Sequence, residues 1–287
     1  MTKTISRFTA QDESLLINWS HAIALGLLHG LALLSPWCFS WDALGVALLL
    51  HWFCGSIGIC LGYHRLLTHR SLRLPQWLEY VVVTVGALAL QGGPIFWVGT
   101  HRMHHAFTED NQRDPYSANR GFWWSHMLWL IYPQGQTFDT EAHRQFAPRL
   151  AHNPYYQWLN RYFVLLQVPL ALLLFAWGGW SYVLYGVVVR VVLLWHCTWL
   201  INSATHMRGY RTFVTEDGSR NLWWAGLLTY GEGWHNNHHA EPNIAPAGRQ
   251  WWEVDPTWWA ILGLEHLGLA FEIKRPLAKA AVAQKLS

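Results

Sequence analysis

Charged residues are scarce in this sequence. Only 13% of its 287 residues are Asp, Glu, Lys or Arg, whereas an ordinary soluble domain carries about 25%. The formal net charge of +3 is too small to predict binding of nucleic acid. In place of charge, 52% of the residues are hydrophobic and 21 are tryptophans, which concentrate where a membrane meets water. This balance favours an integral membrane protein.

Paired cysteines and a targeting segment are also missing. Cys38, Cys54, Cys60 and Cys197 lie in or beside apolar runs, and no C-x-x-C pair occurs. They are typical of small buried side chains rather than a disulfide framework. The first residues, MTKTISRFTAQDESLL, lack the basic and then apolar order of a signal peptide. We therefore expect no cleaved targeting segment.

Four apolar stretches approach the roughly 20 residues that a membrane-spanning helix needs. They cover about residues 19–36, 42–63, 162–177 and 180–202. Short turns, at residues 37–41 and at Gly178-Gly179, join them into two hairpins. A fifth stretch, about residues 77–90, is shorter and predicts an interfacial or re-entrant helix. Four spans keep all histidine clusters on one side of the membrane, and a fifth would divide them.

The basic residues predict the orientation. Arg65, Arg70 and Arg73 follow the second span, whereas the two short turns contain neither Lys nor Arg. The positive-inside rule then places both termini and the large loops in the cytoplasm. We predict one all-α, multi-pass membrane domain over residues 1–287, with a cytoplasmic helical cap at 101–160 and 203–275. Arg190 lies within the fourth span and is expected to face the protein interior or to snorkel, without a catalytic role.

Histidines are clustered at the predicted cytoplasmic ends of the spans. The pattern H-x-x-H-H occurs twice, and on a helix it is expected to direct three imidazoles to one point. HRLLTH contains a pair five residues apart, which a straight α-helix splays by about 140°, so a break near Thr68 or two metals is required. INSATH places an asparagine and a histidine on one helical face. The histidines are His64, His69, His101, His104, His105, His206, His235, His238 and His239, and the asparagine is Asn202.

Nine imidazoles exceed what one ion binds, because zinc takes four ligands. Two metals fit better, and a site rich in neutral nitrogen suits iron that binds oxygen. A heme is the alternative metal hypothesis, since His51 and His64 lie thirteen residues apart, but His196 and His206 do not repeat that separation. We interpret the remaining histidines as packed or hydrogen-bonded side chains: His21, His29, His51, His126, His143, His152, His196 and His266.

The segments GYHRLLTHRS, THRMHHAFTEDNQRDPY, NRGFWWSHMLWL, WLINSATH and EGWHNNHH resemble the membrane fatty acyl desaturases. They are most similar to the Δ9 (stearoyl) branch, and in particular to cyanobacterial acyl-lipid Δ9 enzymes. The resemblance covers about residues 41–246. It implies four spans with a cytoplasmic cap, two iron ions bound by the nine histidines, Asn202 reaching one iron through water, and O₂-dependent formation of a cis double bond.

The resemblance also implies a closed apolar tunnel that shields the reaction from water and holds one carbon pair at the iron. Its bend matches Gln91, Trp97 and Thr198, although simple packing would also account for Trp97. Residues at the depth of Trp52 limit chain length in the family. We therefore predict that Trp52 or Phe53 closes the tunnel.

The residues that flank these motifs indicate which acyl carrier the protein uses. Gly99 and Thr100 stand where animal acyl-CoA desaturases have an Arg-Asp pair, and Gly92 replaces an asparagine. IYPQGQTFD lacks the basic residues that phosphate-rich CoA favours. The pattern favours chains esterified in membrane lipids. Acyl-CoA or acyl-carrier protein stays an alternative, because three arginines lie nearby: Arg102, Arg113 and Arg120.

No cytochrome b5 domain is recognisable, so electrons are expected from a separate protein. For a cyanobacterial type of enzyme, in a plasma or thylakoid membrane, the resemblance implies ferredoxin, an acidic partner for a basic cytoplasmic surface. A separate cytochrome b5 is the alternative donor. Candidate docking residues are Arg149, Arg208, Arg211 and Arg220, and the alternative is that they are solvated arginines of surface loops. Two other classes stay open: a di-iron alkyl hydroxylase, and a non-enzymatic metal carrier or heme electron-transfer protein.

Overall fold

The computed structural model describes residues 16–133 and 137–277, and its regular secondary structure is helical. Three isolated β-bridges occur within these ranges, and no strand does. The expected absence of a targeting segment concerns residues outside them. The longer helices are α1 (Trp19–Ala32), α2 (Trp41–Thr68), α3 (Gln76–Ala87), α4 (Pro94–Phe107), α5 (Trp124–Leu128, continued by Trp129–Ile131), α6 (Thr140–Phe146), α7 (Pro148–Ala151), α8 (Pro154–Tyr162), α9 (Gln167–Val183), α10 (Leu184–Val189, continued by Arg190–Ser203), α11 (Trp223–Leu228), α12 (His235–Ala240) and α13 (Pro256–His266).

Two helical segments are long and apolar enough to cross a membrane: α2, and the run Pro154–His206 that contains α8, α9 and α10. The second segment is not straight. Gly178 has φ −144° and Gly179 has φ +68°, a left-handed conformation that glycine adopts without steric cost. Beyond this break the chain folds back, and α10 packs closely against α9. The closeness is visible at Gly186, where an added Cβ would lie only 2.7 Å from Leu174. The sequence predicts this turn correctly.

The first apolar stretch forms a shorter helix than the sequence predicts. α1 ends at Ala32, and a 3₁₀ turn, Ser35–Cys38, leads to α2. Pro36 stands inside this turn, and a proline cannot extend the ladder of an α-helix. Exposed tryptophans mark both tight turns of the fold, as expected for side chains at a membrane surface. They are Trp37, Trp41, Trp177 and Trp180.

α2 continues five residues beyond the predicted end at residue 63 and includes the first histidine. Its second part, Phe53–Thr68, is wound as a π-helix, a rare form that often occurs at functional sites. The backbone nitrogen of His69 donates to the carbonyl of His64 at 3.1 Å. The hydroxyl of Thr68 likewise donates to the carbonyl of Tyr63 at 2.7 Å. The winding therefore ends at the two histidines.

The fifth apolar stretch forms α3, which with α4 makes a hairpin against α2. α3 and α2 approach closely, because a Cβ on Gly58 would lie 2.5 Å from the backbone nitrogen of Gly86. Between α3 and α4 the backbone is irregular, and polar side chains satisfy it. Arg190 and Gln167 donate to the carbonyl of Leu88 at 2.7 and 3.1 Å. Trp195 donates to the two following carbonyls at 3.1 and 3.0 Å.

Such pairing is what irregular backbone requires in an apolar environment. Arg190 is fully buried. The sequence left open whether it faces the interior or snorkels, and the interior position is the correct one.

The start of α4 is fixed by Asn160, whose side-chain oxygen accepts from the backbone nitrogens of Ile95 and Phe96 at 3.0 and 2.9 Å. α4 then carries three histidines toward α12.

Candidate metal centre

The nine histidines of the sequence motifs lie together in two adjoining groups. In each group the nitrogen atoms that could hold a metal ion lie within 4.8 Å of one another. The first group contains His64, His69, His101 and His238, and the second contains His104, His206, His235 and His239. Four separate segments of the chain supply these side chains, as the sequence predicts.

His105 completes the first group and touches the second. Its Nε2 lies 2.9 Å from Nε2 of His238 and 3.1 Å from Nε2 of His101. Its ring also stacks on that of His239, with centroids 4.5 Å apart. The first group therefore has five imidazoles and the second has four.

The expectation that each H-x-x-H-H cluster points at one place is wrong. On α4, His101 and His105 face the first group and His104 faces the second. On α12, His235 and His239 belong to the second group, whereas the remaining histidine belongs to the first. Residues four apart are nearly in line on an α-helix, whereas the residue three along is rotated to one side by about 60°. Each cluster therefore divides between two centres.

His64 and His69 converge because α2 is π-wound at its end. Their ring centroids are 4.8 Å apart. A bond from residue i+5 to residue i brings side chains five apart toward the same face, which an α-helix does not do. The structure supplies the first of the two solutions that the sequence offered, a change of winding near Thr68. The second, a separate metal for each of the two histidines, is not used, because both lie in the first group.

Carboxylates orient four imidazoles by contacting their Nδ1 atoms, on the side of each ring that faces away from the group. The Nδ1 atoms of His104, His206 and His239 donate to Asp114, Glu109 and Asp217 at 3.0, 3.1 and 2.8 Å. Nδ1 of His64 lies 2.9 Å from Glu232. A proton held on Nδ1 leaves the lone pair of Nε2 directed into the group. This arrangement of carboxylate and histidine is typical of metal sites in proteins.

Sequence reasoning missed all four carboxylates. The sequence contains only 17 acidic residues. Three of the four carboxylates lie close to a histidine motif, and this position is the one sign by which they could have been found. Glu109 and Asp114 follow the first H-x-x-H-H, and Glu232 precedes the second. Asp217 has no such signal, because its partner His239 lies 22 residues away.

A buried ion network holds Glu232 in place. Arg65 donates to Glu232 at 3.0 Å and to both carboxylate oxygens of Asp255 at 3.0 Å. Burial alone would raise the pKa of Glu232, but the charge of Arg65 and the contact with His64 lower it to about 2. Glu232 is therefore ionised and can hold the His64 imidazole.

The donor set fits metal ions. Nε2 of His69, His104 and His239 is buried and has no hydrogen-bond partner among the described residues. Nε2 atoms of His64 and His238, and of His206 and His235, are 3.1 Å apart, close to the separation of two ligands at roughly right angles, each about 2.1 Å from one ion. Burial lowers the pKa well below its usual value for four imidazoles and keeps them neutral, the state that binds metal. These are His101, His105, His235 and His238.

Two cavities meet beside the histidines. The larger, about 570 Å³, lies among α1, α4, α8 and α10. The smaller, about 40 Å³, runs along α2. Trp97, His101, Thr198 and Asn202 line both. The predicted bend residues lie at this junction, because Gln91 donates to Thr198 at 2.8 Å and accepts from Trp97 at 3.2 Å.

The structure places Trp52 and Phe53 outside both cavities. The two rings pack on each other, with centroids 4.8 Å apart, and Phe53 is 41% exposed. The smaller cavity ends about one helical turn nearer the histidines, against Gly55 and Tyr230. The lining of this cavity includes neither Trp52 nor Phe53, and Tyr230, from another segment of the chain, lines its end instead.

The histidines that the sequence predicts to be packed or hydrogen-bonded lie outside the two groups. Most form hydrogen bonds. Nε2 of His29 meets His196 at 3.0 Å, and His196 meets His126 at 3.0 Å. Nδ1 of His51 lies 2.6 Å from the hydroxyl of Tyr230, and the group that contains His64 does not include His51.

The candidate docking arginines lie on two surfaces. Arg149 lines a cleft of about 420 Å³ together with Arg70, Arg73, Lys274 and two carboxylates, Glu79 and Glu272. We call it the basic cleft, because its cations outnumber its carboxylates. The other three lie in the loop between α10 and α11: Arg208, Arg211 and Arg220.

Fold and site define a helical, apolar protein with a buried, nitrogen-rich site that could hold metal ions at the meeting point of two cavities. Comparison of sequences identifies the family. The fatty acid desaturase family profile matches residues 39–268, and the chain belongs to this family. It is an oxidoreductase, a desaturase of a membrane-associated family.

Three cyanobacterial relatives are similar over most of their length. An sn-2 palmitoyl-lipid 9-desaturase of Nostoc sp. is 60% identical over 90% of both chains. An sn-1 stearoyl-lipid 9-desaturase of Anabaena variabilis is 52% identical over 90% of this chain and 94% of its own. A protein of the same name from Synechocystis sp. is 47% identical over 93% of this chain and 83% of its own.

Proposed function

We propose that this protein is an O₂-dependent desaturase that introduces a cis double bond at Δ9 into saturated acyl chains of membrane lipids. The observation that carries the proposal is the junction of two apolar cavities beside the histidine groups, at His101 and Asn202. An acyl chain lying in both cavities would pass the metal centre at its middle. The names of the three relatives supply the position of the double bond and the lipid class.

The nine histidines would hold two iron ions, five imidazoles at the first group and four at the second. Asn202 would join the second group through a water molecule, because it stands one helical turn before His206. The irons would supply the oxidising power of O₂ for removing two hydrogens from an unactivated chain. Glu109, Asp114, Asp217 and Glu232 would keep the imidazoles in the orientation that binds them.

The tunnel residues would position the chain and exclude water. The hydrogen bonds among Gln91, Trp97 and Thr198 fix the wall where the cavities meet. A fixed bend at this wall presents one carbon pair to the metal centre and favours the cis product. Holding the reacting atoms in place accounts for a large share of such a rate enhancement.

Lipid-bound chains fit better than acyl-CoA, because the nearby arginines are engaged. Arg102 donates to the carbonyls of Leu67, Thr68 and Phe146. Arg113 pairs with Asp110 at 2.6 Å, and Arg120 lies over the ring of Trp124. These three arginines were the reason to keep acyl-CoA as an alternative. Because their side chains are engaged within the protein, they give less support for binding its phosphates.

The membrane arrangement that we propose has four passes, formed by α1, the first part of α2, α9 and α10. Exposed tryptophans at both tight turns support it. The metal centre would then lie at the cytoplasmic face of a plasma or thylakoid membrane. The α3–α4 hairpin would enter the membrane from that face and return.

Electrons would come from a separate acidic carrier such as ferredoxin, docked at the basic cleft. Arg70 directly follows His69 of the first group, whereas carboxylates lie behind the second group and would repel an acidic protein. Arg70→Glu should raise the KM for reduced ferredoxin, and Arg211→Glu on the other loop should not. The reverse result would move the docking surface to that loop.

The function is tested by expression in a host that lacks this activity, followed by mass spectrometry of intact lipids. We expect Δ9 monoenes in glycerolipids, and none with His101→Ala. Hydroxylated chains would instead indicate an alkyl hydroxylase. Monoenes confined to the acyl-CoA pool would contradict the lipid-bound substrate.

A further inference from the structure

The smaller cavity has an end that no motif of the sequence indicates. It starts at the histidines of both groups, His64 and His235, and extends along α2 toward residues that lie deeper in the fold. There it meets Gly55, Leu194 and Tyr230. The lining therefore leads away from the metal centre, past the junction of the cavities, toward these three residues.

The ring of Tyr230 forms the wall at this end. A Cβ on Gly55 would lie 2.6 Å from Cε2 of Tyr230 and 3.0 Å from Cδ1 of Leu194. The ring therefore lies against the bare backbone of α2, and no space is left between them. Trp52 lies about one turn before Gly55 on the same helix, and its ring packs on that of Phe53.

The position of Tyr230 is fixed twice. Its hydroxyl and Nδ1 of His51 are 2.6 Å apart and share a hydrogen bond between the cap and the first part of α2. Its backbone has φ +56°, a left-handed conformation that is uncommon for a residue with a side chain. The turn ahead of α12 thus directs this ring into the cavity, two residues before Glu232 and five before His235.

We propose that Tyr230, held by His51, is the stop for the methyl end of the acyl chain and sets the chain length that the enzyme accepts. The inference rests on the proposed function and deepens it. The distance from the metal centre to this ring limits how many carbons follow the new double bond. Longer chains fit only if the ring is removed, because the backbone of Gly55 cannot move away.

The test measures products in a host without this activity, supplied with equal palmitate and stearate. The readout is the ratio of Δ9-octadecenoyl to Δ9-hexadecenoyl chains in the lipids. Tyr230→Leu should raise this ratio about tenfold, the effect of one or two methylenes in an apolar pocket. Gly55→Ala should lower it, because the added methyl group narrows the same end.

Two further variants test this contact. Tyr230→Phe keeps the ring but loses the hydrogen bond to His51, so its ratio should lie between those of the wild type and Tyr230→Leu. Trp52→Ala is the control, because this residue lies outside both cavities, and it should keep the wild-type ratio. If Tyr230→Leu gives no product, the Gly55→Ala ratio decides the question.

An unchanged ratio in Tyr230→Leu or in Gly55→Ala, or longer products from Trp52→Ala, overturns the inference. Failure of the proposed function looks different, since the wild-type protein would then form no Δ9 monoene from either acid. Under that outcome no variant would form Δ9 monoenes, whereas a wrong stop residue leaves the wild-type product ratio in Tyr230→Leu and Gly55→Ala.

Discussion

At the scale of single residues, the orientation of the imidazoles depends on the carboxylates that accept hydrogen bonds from their Nδ1 atoms. Asp114 is buried and accepts hydrogen bonds from Nδ1 of His104 at 3.0 Å and from the backbone nitrogens of Glu109 and Tyr116 at 2.9 and 3.2 Å. All its partners are N–H donors. An amide in its place would turn an NH₂ group toward one of them, whichever way it lies.

We therefore expect Asp114→Asn to weaken iron binding by about 10- to 100-fold, the usual effect of losing such a partner. The measurement is iron per chain after dialysis against a chelator of graded concentration. Asp110→Asn is the matched control, because this carboxylate in the same loop contacts Gln112 and Arg113 and, within the described parts of the chain, no histidine. Equal iron retention by the two variants would contradict the role given to Asp114.

The sequence indicates the histidines but not the groups that hold them. Spacing is visible in a linear pattern, so His101 and His105 can be assigned to one helical face from the sequence alone. A carboxylate such as Asp217 is chosen by the fold, since the loop between α10 and α11 brings it to His239. The division of each motif between two centres is not predictable for the same reason: it depends on where the second centre lies.

At the scale of elements, the α3–α4 hairpin shows how irregular backbone is accommodated inside an apolar bundle. The indole nitrogen of Trp195 donates to the carbonyls of Ala89 and Leu90. A phenylalanine at this position keeps most of the apolar contact and leaves two buried carbonyls without this donor. Each such carbonyl costs about 1–3 kcal/mol.

Trp195→Phe should therefore lower the stability by roughly 2–4 kcal/mol, which corresponds to a Tm lower by several degrees for a chain of this size. Thermal unfolding in detergent, followed by the fluorescence of the remaining tryptophans, measures the change. Trp199→Phe is the control, because Trp199 is buried and stacks on Trp195 at 5.7 Å without bonding to this loop among the described residues. Identical Tm values for both variants would argue against support by Trp195.

Hydropathy predicts where the long helices lie but not how they end. The turn at Gly178-Gly179 is predictable, because two glycines interrupt an apolar run. The π-winding of α2 is not, since no local pattern distinguishes it from an α-helix. It becomes necessary only when His64 and His69 must face the same centre.

At the scale of the whole molecule, the proposed four passes place both tight turns on one side of the membrane and the cap on the other. Trp180 is 72% exposed at the second turn, and Val214 is 102% exposed in the cap. Single cysteines at these positions can report their side, provided that native Cys38, at the first turn, is replaced by serine.

In intact cells we expect an impermeant maleimide to label Trp180→Cys and to leave Val214→Cys unlabelled until the membrane is opened. The physical reason is that no Lys or Arg holds either tight turn in the cytoplasm. Labelling of both cysteines from outside would require a different number of passes.

The family and the helical architecture are predictable from the sequence, because five motifs occur in register over most of the chain. The shape of the cavities is not. Tyr230 reaches α2 from a turn that lies 175 residues away from Gly55 along the chain, and only tertiary packing brings them into contact. For the same reason the sequence points to the depth of Trp52 and gives no sign of Tyr230, which lines the smaller cavity.

The most direct measurement is the number of iron ions per chain in fully active purified protein, determined by elemental analysis against protein mass. Nine converging imidazoles in groups of five and four lead us to expect two. Full activity with one ion, or with no transition metal bound, would contradict the binuclear centre and the chemistry built on it.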